Sequence, residues 1–183
     1  LGEIFYLFNQ AEVQTATWCV DNPWNLLSSM RAPWWQQMHI FVTDHSFIAP
    51  LQAHGAEQVT HLPLATNPTL FCPSKKQESL CQSIVFAGRT EFPNKNKFFA
   101  GCKTPEQLLG PAFIRTKQGQ KANFDFWVQN LNINPLWPGK NIREAGFAAE
   151  TCALAWRTAC VEAAFPLGLT VYGNPEWQEQ LPA

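Results

Sequence analysis

Short apolar runs that stop at an acid or a proline recur through residues 1–90, and their spacing of about 20 residues is that of strands joined by helical crossovers. Thr15–Val20 (TATWCV) runs into Asp21-Asn22-Pro23, Ile40–Thr43 (IFVT) into Asp44, and Gln58–Leu62 into Pro63. Between them Trp24–Gln37 has room for one or two helical turns broken at Pro33. Ser46–His54 reads as a short helix closed by Gly55, the residue that left-handed C-cap geometry favours. Strands alternating with helices specify a parallel sheet, so the expected class is α/β. In such sheets ligands bind beyond the carboxyl ends of the strands, where Asp21, Asp44 and Pro63–Pro68 would lie.

The second half reads differently. Cys72–Ser79 (CPSKKQES) is polar and suggests a linker before a strand at Ser83–Ala87 that ends in Gly88. Phe98–Leu109 reads as a helix pair interrupted at Gly101 and Pro105, Phe124–Leu131 is aromatic-rich, and Asn132–Gly139 (NINPLWPG) is a break. From Ile142 to Ala164 small and apolar residues recur at three- and four-residue intervals, the stripe of a packed helix. Pro166 and Gly168 end it before a last strand at Leu169–Tyr172. A plausible strand also lies within a few residues of Leu1.

With 183 residues, 46% of them hydrophobic, the chain can bury a core without staples. Only 15% of residues are charged and 13% are aromatic, so part of the surface is expected to be apolar and to pack against a partner, a second copy included. No apolar run reaches the roughly 18 residues of a membrane span, and no signal-like amino segment is visible. The six cysteines form no CxxC pair and no zinc-finger pattern with the four histidines, which favours buried free thiols in a cytoplasmic protein. Residues 1–74 carry one basic and five acidic groups, 75–143 eleven and four, and 144–183 one and five. A basic middle suits an anionic ligand such as a nucleotide diphosphate, although Lys75, Lys76, Lys117 and Lys121 would equally make a solvated face. Nucleic-acid binding is poorly supported, because the isoelectric point is about 6.5 and no recognised nucleic-acid motif occurs.

Motifs for dinucleotide, nucleoside triphosphate, acyl-serine and zinc-protease chemistry are missing. Asp21 and Asp44 can act as general bases, orient a hydroxyl or cap the helices that follow, capping being the commoner role. Of His39, His45, His54 and His61, His45 is the best catalytic candidate, beside Asp44 at a strand end. Gly88-Arg89-Thr90 with Lys95 and Lys97 suggests an anion site, since a glycine after a strand lets backbone N–H groups approach a phosphate. Trp18, Trp24, Trp34, Trp35, Phe124, Phe126, Trp127 and Trp137 could stack on sugars or bases, but burial between layers is their commoner fate.

Taken in order, WCVDNPW (18–24), FVTDHSFIAPLQAHGAEQVTHLPLATNPTLF (41–71), IVFAGRTEFPNKNKFF (84–99), IREAGFAAETCALAWR (142–157) and LTVYGNPEW (169–177) resemble the CgeB-like (spore maturation protein-like) glycosyltransferase family over nearly the whole chain. The resemblance implies a GT-B-type architecture of Rossmann-like parallel sheets. Residues 1–73 would belong to the acceptor domain, 74–82 to a linker, and 83–183 to the helix-rich beginning of the donor domain, with catalysis in the cleft between. It places Asp21, Asp44 and His45 on the catalytic, acceptor side. Gly88, Arg89, Thr90, Lys95, Lys97 and Arg143 fall beside the donor diphosphate. The implied reaction passes a sugar from a nucleotide-sugar donor to a glycan, envelope or protein acceptor, without a cofactor beyond a divalent cation accompanying the nucleotide. Asn174 departs from the acidic residue that usually follows the glycine of this motif. Against the family, the first strands of the acceptor domain and the part of the donor domain with the main donor-binding residues are not found, so the chain reads as a fragment that does not transfer sugar alone. The alternative is a noncatalytic interaction module derived from such a domain; a nucleotide-binding oxidoreductase is disfavoured by the missing glycine fingerprint.

Overall fold

The computed structural model describes residues 2–28, 30, 32–72, 83–133 and 140–181. The expected linker, with Lys75, Lys76 and Cys81, lies outside the described residues, as do Trp137 and most of the expected break at 132–139. The chain is a mixed α/β protein that divides into two compact units, Leu1–Cys72 with Ile133–Arg143, and Pro73–Asn132 with Glu144–Ala183. Among the described residues no helix is long and apolar enough to cross a membrane.

Unit 1 is built on three parallel strands, β1 (Ala16–Cys19), β2 (His39–Val42) and β3 (Gln58–His61), in the spatial order β1-β2-β3. Helix α2 (Trp24–Leu27) and a 3-10 turn (Pro33–Gln37) connect the first pair; a 3-10 turn (His45–Phe47) and α3 (Ile48–Ala53) connect the second. Successive crossovers of the same hand between neighbouring strands pass over the same face of the sheet. Burial follows that geometry. Cys19, Ile40 and Val42 point into a core with Trp24, Leu27, Trp35 and Leu51, of which the last four are wholly buried. Trp24 meets the edge of Trp35 at 5.8 Å and of His54 at 5.1 Å. Gly55, at φ +97°, ends α3 in the left-handed region that other residues rarely adopt, beside the Gln36 side-chain amide that donates to the His54 carbonyl at 2.6 Å.

The opposite face carries Ala16 and Trp18 of β1, His39 and Phe41 of β2, and Gln58 and Thr60 of β3, brought together by the strand register. Ala16, Trp18, Gln58 and Thr60 are exposed there, and His39 and Phe41 half-buried. Trp18 thus departs from the expected burial of the aromatic set, whereas Trp24, Trp35 and Trp127 follow it. The amino end is also not a strand: Gly2–Gln10 forms a helix, α1, since its run of five apolar residues, Ile4 to Phe8, has no alternation to separate helix from strand.

Unit 2 pairs β4 (Ile84–Ala87) with β5 (Leu169–Tyr172) in parallel, Ile84 opposite Leu169 and Ala87 opposite Tyr172. Between them lie α4 (Lys95–Phe98), α5 (Glu106–Lys117), α6 (Phe124–Asn130) and α7 (Lys140–Ala164), whose residues from Glu144 on belong to this unit; α8 (Trp177–Gln180) follows β5. The expected helix pair at 98–109 lies elsewhere: α4 begins at Lys95, and α5 starts after Pro105 and runs through Pro111 to Lys117. Phe99, Trp127, Ala145, Ala148, Cys152 and Trp177 are buried. The expectation of buried thiols holds for Cys19 and Cys152, whose pKa values burial pushes up; Cys72 and Cys160 are exposed and Cys102 half-buried, all five free.

The two strand ends of unit 2 close on one another through glycine. The Gly88 N–H donates to the Tyr172 carbonyl at 2.9 Å, and the Trp177 indole donates to the Gly88 carbonyl at 2.9 Å. A Cβ on Gly173 would fall on the Gly88 carbonyl oxygen and within 2.6 Å of the Trp177 ring. Gly173→Ala is therefore expected to lower the unfolding free energy by about 1–3 kcal/mol through overpacking. Urea titration would show it as a lower midpoint than that of the unaltered chain.

Candidate functional site

Parallel pairing points the carboxyl ends of all strands in a unit the same way, so polar residues that follow them collect on one edge. In unit 1 that edge holds Asp21, Thr43, Asp44, His45 and His61. Thr43 donates its hydroxyl to the Val20 carbonyl at 2.6 Å, tying the end of β1 to the end of β2. His61 Nε2 lies 3.1 Å from the Thr43 carbonyl, which can only accept, so this nitrogen carries the proton. The His45 and His61 rings meet edge to face at 5.9 Å.

Asp44 caps the turn that follows it, accepting the Ser46 N–H at 2.9 Å. That hydrogen bond is the largest influence holding its carboxyl below the ordinary carboxylate range, with His45 and His61 adding smaller electrostatic help. Asp44 thus carries its charge at neutral pH beside two imidazoles, an arrangement that can orient a hydroxyl, although a carboxylate held this low is a weak proton acceptor. Asp21 is exposed and does not cap α2: Asn22 does this work, accepting the Trp24 N–H at 3.0 Å. His61 is the member of this edge that sequence reasoning did not group with Asp44 and His45. The register Val42↔His61 places it there, and strand alignment was the signal that would have found it.

In unit 2 the corresponding edge holds Gly88, Arg89, Thr90, Asn174 and Glu176. Thr90 is buried and clasped by Asn174, whose Oδ1 accepts the Thr90 N–H at 2.9 Å and whose Nδ2 donates to the Thr90 hydroxyl at 2.7 Å. The same Nδ2 donates to Glu176 Oε2 at 2.6 Å. Only an amide can donate and accept here; an aspartate would lose the donor and set a second carboxylate against Glu176. Its own backbone N–H, then Asn174 and Arg89, hold the Glu176 carboxyl below the ordinary range. Arg157, which sequence reasoning did not single out, donates from Nη1 to the Arg89 carbonyl at 3.0 Å and fixes that backbone.

The candidate diphosphate residues consequently divide. The N–H groups of Gly88 and Thr90 are already bonded within the unit. Lys95 is buried, paired with Glu91 at 3.1 Å and set 5.7 Å from the centre of the Phe147 ring. Arg89 and Lys97 are exposed. Arg143 is half-buried on α7, in the segment assigned to unit 1, and is not in the same unit as the other five. The basic middle of the sequence is also not a basic body. Unit 2 takes in the acidic helix after Glu144, and it carries ten basic and nine acidic residues, unit 1 three and five. Among the described residues no three His, Cys, Asp or Glu side chains gather as a metal-binding set. Comparison of the chain with family models, with curated proteins and with solved structures finds no match.

Because the folded-state carboxyl of Asp44 titrates lower than in the unfolded chain, its cap stabilises fully above the unfolded value of about 3.9 and is lost as pH falls through the folded value. Asp44→Ala is expected to cost about 0.5–2 kcal/mol at neutral pH. Denaturant midpoints of the two proteins should converge as the pH is lowered through the acid range.

Proposed function

We propose that the chain is glycosyltransferase-like, of GT-B type, moving a sugar from a nucleotide-sugar donor to a glycan, envelope or protein acceptor. The observation that carries this reading is that in both units polar, chemically competent side chains collect at the carboxyl ends of parallel strands, where α/β sheets bind ligands. The ordered resemblance of the sequence supplies the reaction. An acceptor hydroxyl attacks the anomeric carbon, the bond from that carbon to the diphosphate oxygen breaks, and the hydroxyl proton passes to a base. At the unit 1 edge Asp44 and His45 are the candidates to orient an acceptor hydroxyl. The negative charge that develops on the leaving diphosphate is met by cations. Arg89 and Lys97 are exposed for this, while Thr90 and Lys95 hold the strand end in shape.

Calorimetric titration with UDP and with GDP tests the reading. One of the two is expected to bind with a micromolar dissociation constant, and Arg89→Ala to weaken it by about tenfold, or ~1.4 kcal/mol. Neither nucleotide binding at millimolar concentration, or binding that Arg89→Ala leaves untouched, would contradict the assignment.

A second reading, the noncatalytic interaction module, is favoured by a different observation: the side chains of Trp18, Leu64, Leu70 and Phe71 are between 47% and 75% exposed in unit 1.

A further inference from the structure

Parallel sheets occur almost only where both faces are covered, because their crossovers lay helices upon them. Among the described residues the sheet of unit 1 breaks that rule. One face is filled by Trp24, Leu27, Trp35 and Leu51, while the other leaves Trp18 47% exposed between Ala16, Phe41 and Thr60. His39 stacks on Phe41 at 4.3 Å and shares a 2.9 Å hydrogen bond with Thr60, so the face is ordered by its own contacts. At its amino-terminal end a hollow of about 420 Å³ opens between Gln14, Ala16, His39, Phe41 and Gln58.

Helix α1 has the complementary defect. Its inner side is turned to the Pro33–Gln37 turn, with the Tyr6 ring 5.4 Å from that of Trp34. Ile4, Leu7 and Phe8, at i, i+3 and i+4, form one outer stripe and are 50%, 63% and 42% exposed. A helix lacking a surface and a sheet face lacking a helix thus lie in the same unit, with the helix held against the turn.

We infer that the open sheet face of unit 1 is covered by α1 of a second copy, the two copies exchanging helices across a two-fold axis. Each copy offers the Ile4, Leu7 and Phe8 stripe and receives its partner's stripe over Trp18, Phe41 and Thr60, the self-complementary arrangement of a two-fold dimer. Ile4, Leu7, Phe8 and Trp18 are 42% to 63% exposed and Ala16, Gln58 and Thr60 are exposed beside them, so the area that each copy offers is on the order of the ~800 Å² that each partner contributes to a standard stable interface. Neither stripe nor face contains a Lys, Arg, Asp or Glu, so no such charge is stripped of water when they meet. This deepens the interaction reading by naming partner and surface, and it stands whether or not a nucleotide binds.

Light scattering of the intact chain at about 1–100 μM is the test. A dimer is expected, with Leu7→Glu and Thr60→Glu, both at exposed positions, each weakening it at least about tenfold while circular dichroism stays unchanged. Mixing the two variants is the sharper measurement, because one intact helix and one intact sheet face then meet. The mixture should recover dimer that neither variant makes alone. A monomer for the unaltered chain throughout that range would overturn both the inference and self-association. A dimer that survives Leu7→Glu and Thr60→Glu would leave the interaction reading standing and overturn this surface. Loss of dimer with no recovery on mixing would overturn the exchange of helices.

Discussion

A parallel pair of strands cannot be closed by a tight turn, and that one constraint organises both units. The chain must leave the carboxyl end of each strand, cross a face and re-enter beside it. In unit 1 the crossovers are short, from Cys19 to His39 and from Val42 to Gln58, and they deliver Trp24, Leu27, Trp35 and Leu51 to one face. From β4 to β5 the connection runs from Ala87 to Leu169, and among the described residues α4 to α7 intervene before the partner strand arrives. The same constraint produces an edge where every strand ends, and the polar side chains gather on those edges.

The two edges are held in different ways. That of unit 1 is made from neighbours in sequence or in register, Thr43, Asp44, His45 and His61, with an ionised carboxylate at its centre. That of unit 2 is a long-range clasp in which Asn174 holds Thr90 and Trp177 holds Gly88 across more than 80 positions. Glycine is required at Gly173 because the strand ends approach too closely for a side chain. A glycine after a strand therefore serves here as a packing device; Arg89 is exposed on that edge, and Lys97 is exposed on α4.

What the sequence made legible follows from how local each signal is. β5 lies at Leu169–Tyr172, as its flanking glycines and prolines indicate, and β1 to β4 fall within a residue or two of their punctuated apolar runs. The amino end was not legible, since GEIFYLFNQ satisfies a strand and a helix alike and its contact with Trp34 settles the matter. The extent of α5 was not legible either, because Pro111 usually ends a helix and here lies within one. At the sites, Asp44 and His45 could be read from a strand end, but His61 needed the register. Lys95 needed the fold: nothing local tells a lysine buried against Glu91 and Phe147 from one that faces solvent. The charge pattern misled for a similar reason, since folding returns the acidic helix after Glu144 to the basic middle.

The proposed function turns on the carboxyl edge of β4 and β5 receiving a nucleotide diphosphate. Amide and indole NMR shifts of the intact chain during a UDP titration test it directly. The account predicts shifts concentrated at the amides of Arg89 to Lys97 and Asn174 to Trp177, and at the Trp177 indole N–H that bonds to Gly88. Shifts confined to residues away from that edge, or a spectrum that UDP leaves unchanged at millimolar concentration, would contradict it.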